Sequence, residues 1–502
     1  VFLSYDDGYR NRSYTYEDVT RAARAFAGRL SGFGISPGDK ILIWAENRPE
    51  WVVAFWGCLL VGAIVVPIDY RASAEFVARV WKIVEGRLLL FGDDVSEDGT
   101  PETLPEVARR WKLSGIDWPS APSSVPTAVR EDISLDSTAE IIFTSGATAE
   151  PKGVIITHRN VLANIEPVER EVLKYRKYGR PFFPLRFLNL LPLSHMFGQA
   201  MATFIPPMLA GEVIFIRSYN PHEIVSQIRQ RRVSVLVSVP KILEVLSEHV
   251  RRGHSEAREE LQTRQAAWGE GVRRPHWLRR WWLYRTIHRE FGLKFWCFVV
   301  GAAPLESALE EFWSALGFLV VQGYGLTETA PIVTLNHPFK TGRGSVGKAI
   351  GGVKVKIAPD GEILVRGENV TTGYFQAPDE TARAFEDGWF HTGDIGEIDE
   401  SGQLFIRGRK KEMIVTPEGL NVFPEDVERV LIVLPGVREA AVVGLARNGQ
   451  ERVHAVLILD EGVNAEDIAQ QANTRLGDHQ RIRGVHVWPG AHLPRTEGTS
   501  KL

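Results

Sequence analysis

The sequence contains very few cysteines, and charge of neither sign dominates it. Only two cysteines occur among 502 residues, Cys58 and Cys297, and each lies within an apolar run. This number excludes a disulfide framework and a cysteine-rich metal site, and it is typical of a reducing cytoplasm. The formal net charge of −3 gives no overall reason to expect a nucleic-acid partner. We therefore expect a cytoplasmic protein that does not bind nucleic acid.

One uncharged stretch, Trp51 to Ile68, approaches the length that a membrane-spanning helix needs. Gly57 and Gly62 interrupt it, and its last part is β-branched and contains Pro67. The residues "NRPE" that precede it are typical of the start of a helix. We predict a buried helix that runs into a buried parallel strand, and not a membrane span.

Apolar, β-branched runs alternate with helical patterns through roughly the first four hundred residues, which predicts an α/β fold with parallel sheets flanked by helices. From about Lys354, turns at Asp360-Gly361 and Ser401-Gly402 predict a small β-rich subdomain, and a compact α+β pattern follows. We expect an N-terminal domain over residues 1–408. Residues 409–502 would form a small C-terminal domain that is truncated at its end.

Segment Arg273 to Lys294 holds seven Lys or Arg and one Glu, with aromatic residues at helical spacing. One interpretation is a basic amphipathic helix on an anionic membrane surface, which would give a peripheral membrane contact. The other interpretation is a helix that packs its aromatic residues on the domain and exposes its arginines to water. We favour the second, because packed amphipathic helices are commoner.

Residues Phe143 to Gly153, "FTSGATAEPKG", combine hydroxyl side chains, glycines and a lysine between two β-branched runs. A phosphate loop needs closely spaced backbone N–H groups, glycine for sharp turns, hydroxyl donors and a cation. The residues that supply these are Thr144, Ser145, Gly146, Thr148, Lys152 and Gly153. Pro151 precedes the lysine, so the stretch is not a Walker-type loop. Taken alone, a strand-turn-strand explains these letters equally well.

The same stretch resembles the "TSGTTGxPKG" signature of adenylate-forming enzymes, the superfamily of acyl-CoA synthetases, adenylation domains and beetle luciferases. Further signatures of that family follow in the family's order. They are "LPLSHMFG" (191–198), "GAAPL" (301–305), "QGYGLTET" (322–329), "GWFHTGDIG" (388–396), "GRKKEMIVTPEGLNVFPEDVE" (408–428) and "LPRTEGTSK" (493–501). The resemblance covers nearly the whole chain and is strongest to bacterial long-chain fatty acyl-CoA synthetases.

The resemblance implies a reaction in two halves. A carboxylate attacks the α-phosphate of ATP, which gives an acyl-adenylate and pyrophosphate. The thiol of coenzyme A then takes the acyl group and releases AMP. Both halves pass through crowded negative charge, so donors and cations matter more than a covalent nucleophile. The expected cofactors and substrates are ATP, Mg²⁺, coenzyme A and a fatty acid.

The resemblance also assigns the nucleotide site. Thr144, Ser145, Gly146, Thr148 and Lys152 would hold the β- and γ-phosphates, although Ala147 and Ala149 depart from the signature and predict a stiffer loop with one donor fewer. Tyr324 would stack on adenine, Thr327 would bind the α-phosphate, and Glu328 would hold Mg²⁺. Asp394 and Arg409 would bind the ribose. The other positions expected to line the nucleotide are Gly301, Ala302, Ala303, Pro304, Gln322, Gly323 and Gly325.

The remaining assignments concern the acid, the thiol and domain rotation. His195 would line the acyl pocket and gate the thiol, next to the apolar candidates Met196, Phe197 and Val237. Lys411 matches the hinge of a C-terminal domain that rotates between the half-reactions. Gly419 would then line the pantetheine tunnel. Lys501 is the expected catalytic lysine, although it lies one residue later than the usual spacing.

Three functions therefore compete. The first is a fatty acyl-CoA synthetase. The second is an acyl-AMP ligase that delivers its product to an acyl carrier protein. The third is a nucleotide-binding protein that has lost catalysis, which Ala147, Ala149 and the shifted Lys501 would explain.

Overall fold

The computed structural model describes residues 1–6, 8, 10–95, 109–118, 130, 132–144, 151–174, 183–254, 277–301, 303–337, 344–416, 420–447 and 450–494. The chain forms two units, one of Val1–Lys354 with Arg366–Ala384 and one of Val355–Val365 with Phe385–Leu502.

The strands fall into an N-terminal and a C-terminal group. The N-terminal strands are β1 (Leu3–Asp6), β2 (Asn11–Tyr14), β3 (Lys40–Ala45), β4 (Ile64–Asp69), β5 (Leu88–Phe91), β6 (Arg109–Lys112), β7 (Thr138–Thr144), β8 (Lys152–Thr157), β9 (Arg186–Asn189), β10 (Glu212–Ile216), β11 (Val235–Ser238), β12 (Cys297–Val300), β13 (Leu319–Tyr324), β14 (Thr334–Leu335) and β15 (Lys348–Ala349). The C-terminal strands are β16 (Lys354–Ile357), β17 (Glu362–Arg366), β18 (Phe385–Glu386), β19 (Trp389–Ile398), β20 (Leu404–Arg409), β21 (Ile414–Val415), β22 (Asn421–Val422), β23 (Val437–Arg447), β24 (Gln450–Leu459) and β25 (Gly484–Val487).

Most of the helices belong to the first unit. The α-helices are α1 (Tyr16–Gly32), α2 (Pro49–Leu60), α3 (Ala74–Val84), α4 (His158–Lys174), α5 (Met196–Gln199), α6 (Ile205–Met208), α7 (Pro221–Gln230), α8 (Pro240–Gly253), α9 (Trp277–Leu283), α10 (Arg285–Phe291), α11 (Ser307–Leu316), α12 (Pro378–Ala384), α13 (Pro424–Ile432) and α14 (Ala465–Asn473). A π-helix (Ala200–Phe204) joins α5 to α6, and short 3-10 helices occur at Leu113–Gly115, Thr327–Thr329 and Asp478–Gln480.

Two sheets build the first unit. The larger has the order β15-β14-β13-β12-β11-β9-β10-β1-β2, and its strands from β13 to β1 run parallel. The smaller has the order β6-β5-β3-β4-β7-β8, in which only the pair β7–β8 is antiparallel. One hydrophobic core contains side chains of both sheets together with Trp51 and Phe55 of α2, which are fully buried.

The uncharged stretch near residue 60 forms the predicted helix and strand. Pro49 is the first residue of α2, where its missing N–H costs no intrahelical hydrogen bond. The chain then enters β4, which lies between β3 and β7 and runs parallel to both. The buried interpretation is therefore confirmed. Among the helices of the described residues, none is long and apolar enough to cross a membrane.

The basic, aromatic segment forms the two helices α9 and α10. Tyr284, Ile287 and Phe291 are buried in a core with the neighbouring sheet, and His288 bonds to the carbonyl oxygen of Leu316 at 2.9 Å. The arginines described on these helices are mostly exposed, and so is Trp282. The structure thus favours packing on the domain, and the alternative contact with a membrane surface stays a prediction.

The second unit contains three small sheets and its own core. Strands β16, β17, β19 and β18 form one sheet, to which β20 is added by pairing with β19. The turns at Asp360-Gly361 and Ser401-Gly402 join β16 to β17 and β19 to β20, as predicted. Strands β23, β24 and β25 form another sheet against α13 and α14, while β21 and β22 pair with each other.

The predicted α/β fold with a small β-rich part and an α+β C-terminal part is confirmed. The two units divide the chain before the predicted boundary at residue 408, since the β-rich sheet belongs with the C-terminal residues. The predicted boundary at residue 408 is placed at a hinge, about which the C-terminal domain would rotate. Since the division into two units does not report rotation, that boundary stays a prediction.

Candidate active site

The sequence motifs follow neighbouring parallel strands of the larger sheet. Strand β12 pairs with β13 so that Val300 lies opposite Gln322, and β11 pairs with β12 so that Val237 lies opposite Val299. Gly301 therefore follows β12 beside the Gln322–Tyr324 end of β13. Ligands of open α/β sheets bind at this carboxyl edge. The structure thus brings "GAAPL" and "QGYGLTET" together, as a nucleotide site requires.

Two glycines of these motifs are required by close contacts. A Cβ atom on Gly325 would lie 1.7 Å from the carbonyl oxygen of Pro331, because the chain turns back sharply after β13. A Cβ atom on Gly301 would lie 2.7 Å from the ring of Phe197. The glycines allow the chain to turn after β13 and allow an aromatic ring to lie against the end of β12.

Buried amides hold the turn that carries Thr327 and Glu328. Asn164 of α4 donates from Nδ2 to the carbonyl oxygen of Ile332 at 2.7 Å, and Asn369 donates to that of Thr329 at 3.0 Å. Both asparagines are buried. The Thr329 hydroxyl accepts from the N–H of Leu326 at 2.9 Å. Three hydrogen bonds therefore hold the turn in one conformation. A binding site whose conformation is held before the ligand arrives is preorganised for that ligand.

Glu328 has a side-chain partner in the same unit. The hydroxyl of Tyr374 donates to Oε1 of Glu328 at 3.0 Å, and the N–H of Thr371 donates to the Glu328 carbonyl oxygen at 2.8 Å. Burial, and next the negative charge of Glu328, raise the pKa of Tyr374 well above its ordinary value. The tyrosine therefore remains a hydrogen-bond donor at physiological pH.

The donor set around Glu328 fits Mg²⁺ held by substrate phosphates. Among the residues that the structure describes, no group of three or more His, Cys, Asp or Glu could hold a metal ion. Magnesium commonly binds through one or two carboxylates together with phosphates and water, and not in an all-protein cage. A single carboxylate beside a phosphate site satisfies that requirement, and Glu328 is half-buried.

The predicted phosphate loop connects two antiparallel strands. Thr144 ends β7 and Lys152 begins β8, and the two residues lie opposite each other. The strand-turn-strand interpretation and the phosphate-loop interpretation are thus compatible. Lys152 Nζ lies 5.9 Å from the centre of the Tyr374 ring and forms an ion pair with Glu380. Tyr374 therefore connects the predicted phosphate lysine to the predicted metal carboxylate.

The acyl-pocket candidates belong to the core between the two sheets. Met196 and Val237 are buried there, and Phe197 packs against the same core. His195 lies just before α5, and its Nε2 is 3.7 Å from Oδ2 of Asp69 at the end of β4. Burial acts to raise the pKa of Asp69, but hydrogen bonds from Arg71 and the nearby His195 ring outweigh it and hold the pKa well below its ordinary value. Asp69 therefore places a negative charge near His195.

The second unit contains the predicted ribose residues. Asp394 of β19 pairs in register with Arg409 of β20, and Arg409 Nε lies 2.9 Å from Asp394 Oδ1. Asp394 is buried, and its N–H donates to the Thr392 hydroxyl at 3.1 Å. The structure therefore brings together the two residues that the resemblance assigned to one hydroxylated sugar.

A buried carboxylate anchors the turn before Asp394. Glu362 of β17 accepts the N–H of Gly393 at 2.9 Å and the ammonium of Lys410 at 2.8 Å. Lys410 also lies 2.7 Å from Asp360. Burial acts to raise the pKa of Glu362, but the Lys410 contact and its other partners hold it below the ordinary value. Lys410 is thus fixed to β17, whereas the predicted hinge residue Lys411 is exposed.

Several predicted residues lie outside the described residues. They are Ser145, Gly146, Thr148, Ala302, Gly419 and Lys501, and of Thr144 only the backbone is described. Their assigned roles stay predictions. Ala303 is half-buried and Pro304 is exposed after Gly301.

The sequence analysis missed the residues that support the motifs. They are Asp69, Asn164, Glu362, Asn369, Tyr374 and Lys410. One signal was present for Asn164: Asn160 and Asn164 lie four residues apart on α4, and both are buried, as are Val161, Ile165 and Val168 of the same helix. An amide that is buried on an apolar helix face needs hydrogen-bond partners, and these are commonly backbone groups. The partners of the other residues depend on the tertiary fold.

Comparison with known proteins identifies the family. The family described as "AMP-binding enzyme" matches residues 1–375, and "AMP-binding enzyme C-terminal domain" matches residues 426–498. The chain belongs to the AMP-binding enzyme family. The motifs and their order are therefore those of AMP-binding enzymes, as the resemblance implied.

Among AMP-binding enzymes, the chain is 31% identical to the long-chain-fatty-acid–CoA ligase FadD15 of Mycobacterium bovis, over 86% of this chain and 75% of the ligase. It is 28% identical to a 2-succinylbenzoate–CoA ligase of Bacillus velezensis, over 94% of this chain and 88% of that protein. ATP-bound MatB from Rhodopseudomonas palustris has a similar structure, with a TM-score of 0.77, 26% identity, and coverage of 99% and 93%. The two sequence relatives are thus both CoA ligases, but for different acids.

Proposed function

We propose that the protein is an AMP-forming acid–CoA ligase whose acid is a long- or medium-chain fatty acid. The observation that carries the proposal is the linked placement of Lys152, Tyr374 and Glu328. These residues place a cation and a carboxylate beside the carboxyl edge of the larger sheet, within a chain that belongs to the AMP-binding enzymes.

In the first half-reaction, the protein's side chains bind and orient charge. Lys152 and the hydroxyls of the β7–β8 loop would bind the β- and γ-phosphates, and Thr327 would bind the α-phosphate. Glu328 would hold Mg²⁺, which neutralises phosphate charge when bound. Tyr374 keeps the Glu328 carboxylate in place by its hydrogen bond. Tyr324 would stack on adenine, and Asp394 with Arg409 would bind the ribose.

Acyl transfer to the thiol requires different residues. His195 would gate the approach of the thiol, and Gly419 would leave room for pantetheine after rotation about Lys411. Lys501 would carry positive charge to the carboxylate only in the adenylating arrangement. The fixed Lys410, next to the exposed Lys411, supports a hinge that begins at Lys411.

The fatty-acid assignment is supported by the apolar side chains around His195. Met196 and Val237 are buried and Phe197 is half-buried, so these three candidates offer an apolar surface. The carboxylate near His195, that of Asp69, is already bound by Arg71. The relatives named above include ligases for a long-chain fatty acid and for succinylbenzoate. Because these acids differ in length and shape, the acid that this protein activates has to be identified by assay.

The test is release of pyrophosphate from ATP with a panel of acids from acetate to palmitate, with and without coenzyme A. We expect release that depends on a fatty acid and on Mg²⁺, and AMP release that depends on coenzyme A. Pyrophosphate release without AMP formation on adding coenzyme A would exclude coenzyme A as the acceptor and favour the acyl carrier protein alternative. No release above an ATP-only blank with any acid would contradict the proposal and favour a nucleotide-binding protein without catalysis.

A further inference from the structure

Lys152 has a carboxylate partner that the sequence motifs do not include. Its ammonium forms an ion pair with the carboxylate of Glu380, which lies in the first turn of α12 and is separated from it by 228 positions. Glu380 is also 3.0 Å from Arg383 in the same helix. The side chains of Lys152 and Glu380 are 38% and 31% exposed. A ligand in solution can therefore reach both charged groups.

The ion pair lies beside the predicted phosphate and metal residues. Lys152 Nζ is 5.9 Å from the centre of the Tyr374 ring, and the hydroxyl of that ring binds Glu328. The backbone also ties these elements together: the N–H of Phe375 donates to the carbonyl oxygen of Gly153 at 2.7 Å, and that of Tyr374 donates to the Thr381 hydroxyl at 3.0 Å. The backbone of α12 is thus held close to Lys152, and Glu380 is not a distant surface charge.

A partly exposed ion pair of this kind contributes little to stability. Its effect on a ligand is different, because a phosphate that approaches Lys152 meets the negative charge of Glu380 and must replace the carboxylate at the ammonium. Like charges in one site oppose each other. The pair therefore acts on phosphate affinity more than on folding.

Building on the proposed function, we propose that Glu380 is a counter-ion that exchanges with phosphate at Lys152. In the free enzyme the carboxylate holds the ammonium at the position where phosphate binds. When ATP binds, its phosphates displace the carboxylate. After adenylation the carboxylate competes with pyrophosphate for the same ammonium, which weakens pyrophosphate binding and speeds its release.

The test is the dissociation constant of Mg²⁺-pyrophosphate, measured by isothermal titration calorimetry on the parent protein, Glu380→Gln and Asp379→Asn. We expect Glu380→Gln to bind pyrophosphate about three- to fivefold more tightly, the scale of one partly exposed charge interaction. Asp379 is exposed and lies beside Glu380 in the first turn of α12. Its variant removes the same charge from the same helix end, so it controls for the helix dipole.

The combination with Lys152→Met isolates the exchange. If the carboxylate acts through Lys152, Glu380→Gln changes pyrophosphate affinity in the parent background and not in the Lys152→Met background. An unchanged or weaker affinity of Glu380→Gln, with its thermal unfolding midpoint unaltered, would overturn the proposal. An unchanged pyrophosphate affinity with a midpoint lowered in Glu380→Gln and not in Asp379→Asn would also overturn it, because the pair would then be structural. A parent protein that binds neither ATP nor pyrophosphate would contradict the proposed function itself, which is a separate result.

Discussion

The hydroxyl of Tyr374 lies 3.0 Å from Oε1 of Glu328 and donates a hydrogen bond to it. The two residues are 46 positions apart and come together because residues 366–384 belong to the first unit. The N–H of Thr371 reinforces the arrangement by donating to the Glu328 carbonyl oxygen. Residues 366–384 therefore support the predicted metal carboxylate.

Tyr374→Phe should lower the apparent affinity for Mg²⁺ in adenylation and leave the ring beside Lys152 in place. Removal of a hydrogen bond to a charged group frees the Glu328 carboxylate, and we expect the Mg²⁺ concentration for half-maximal pyrophosphate release to rise about tenfold. Tyr16→Phe is the matched control, because its hydroxyl bonds the Gly211 carbonyl oxygen at 2.6 Å, outside the sequence motifs. Equal Mg²⁺ dependence in both variants would show that Tyr374 does not position Glu328.

The alternation of apolar runs predicted the parallel sheets because buried parallel strands and their helices have distinct periods. The stretch from Trp51 to Ile68 could be assigned to α2 and β4 for this reason, since its glycines and β-branched end conflict with a membrane helix. The membership of the β-rich sheet could not be predicted in this way. Strand order and unit membership depend on contacts between distant residues, such as Ile395 of β19 with Glu362 of β17.

The motif residues could be assigned because their stretches resemble family signatures. Tyr324 and Glu328 illustrate this, since the letters "QGYGLTET" match such a signature, whereas a Thr-Glu pair taken alone is more typical of a helix cap. Their supporting residues could not be predicted. Asn369 and Glu380 lie in stretches with ordinary turn and helix composition, and their partners are set by tertiary structure.

Gly325→Ala should destabilise the first unit severely. The added methyl would lie 1.7 Å from the carbonyl oxygen of Pro331, so the turn after β13 must open. We expect a loss of about 3 kcal/mol or more, the range for steric strain in a packed site, together with loss of ATP binding. The control is Gly32→Ala in α1, where a Cβ meets nothing within 4 Å and alanine should be neutral or stabilising. Urea unfolding and ATP titration measure both effects; equal stability of the two variants would contradict the expectation.

Glu140 of β7 should make stability fall as the pH rises. Burial raises its pKa to about 8, although Gln199 acts in the opposite direction, so the folded protein holds a proton that the unfolded chain releases near pH 4.5. The unfolded state therefore binds fewer protons between these values, and stability decreases with pH there, by at most about 1.4 kcal/mol per unit. Glu140→Gln should remove this slope. The test is the free energy of unfolding of the parent protein and of Glu140→Gln at pH 5 and pH 8. The control is Glu17→Gln, which changes an exposed glutamate. A decrease with pH that persists in Glu140→Gln would exclude Glu140 as its source.

Asp69→Asn should separate the two half-reactions. Asp69 lies 3.7 Å from His195 and is held by two hydrogen bonds of 2.9 and 2.8 Å to Arg71, so we expect its fixed negative charge to act on the histidine that would gate the thiol. Loss of its charge should slow thioester formation from synthetic acyl-AMP by about tenfold, the value of one lost charged contact. Pyrophosphate release from ATP should remain near the parental rate, because Asp69 makes no contact with the phosphate and metal residues in the structure described.

The control for Asp69→Asn is Asp136→Asn. Asp136 also binds an arginine, Arg159, through two hydrogen bonds of 2.8 and 3.0 Å, but it is 73% exposed and lies apart from the motifs. A comparable loss in this control would mean that the effect arises from the loss of an Asp–Arg pair in general. If Asp69→Asn slows both half-reactions equally, Asp69 supports the fold around β4 and not the position of His195.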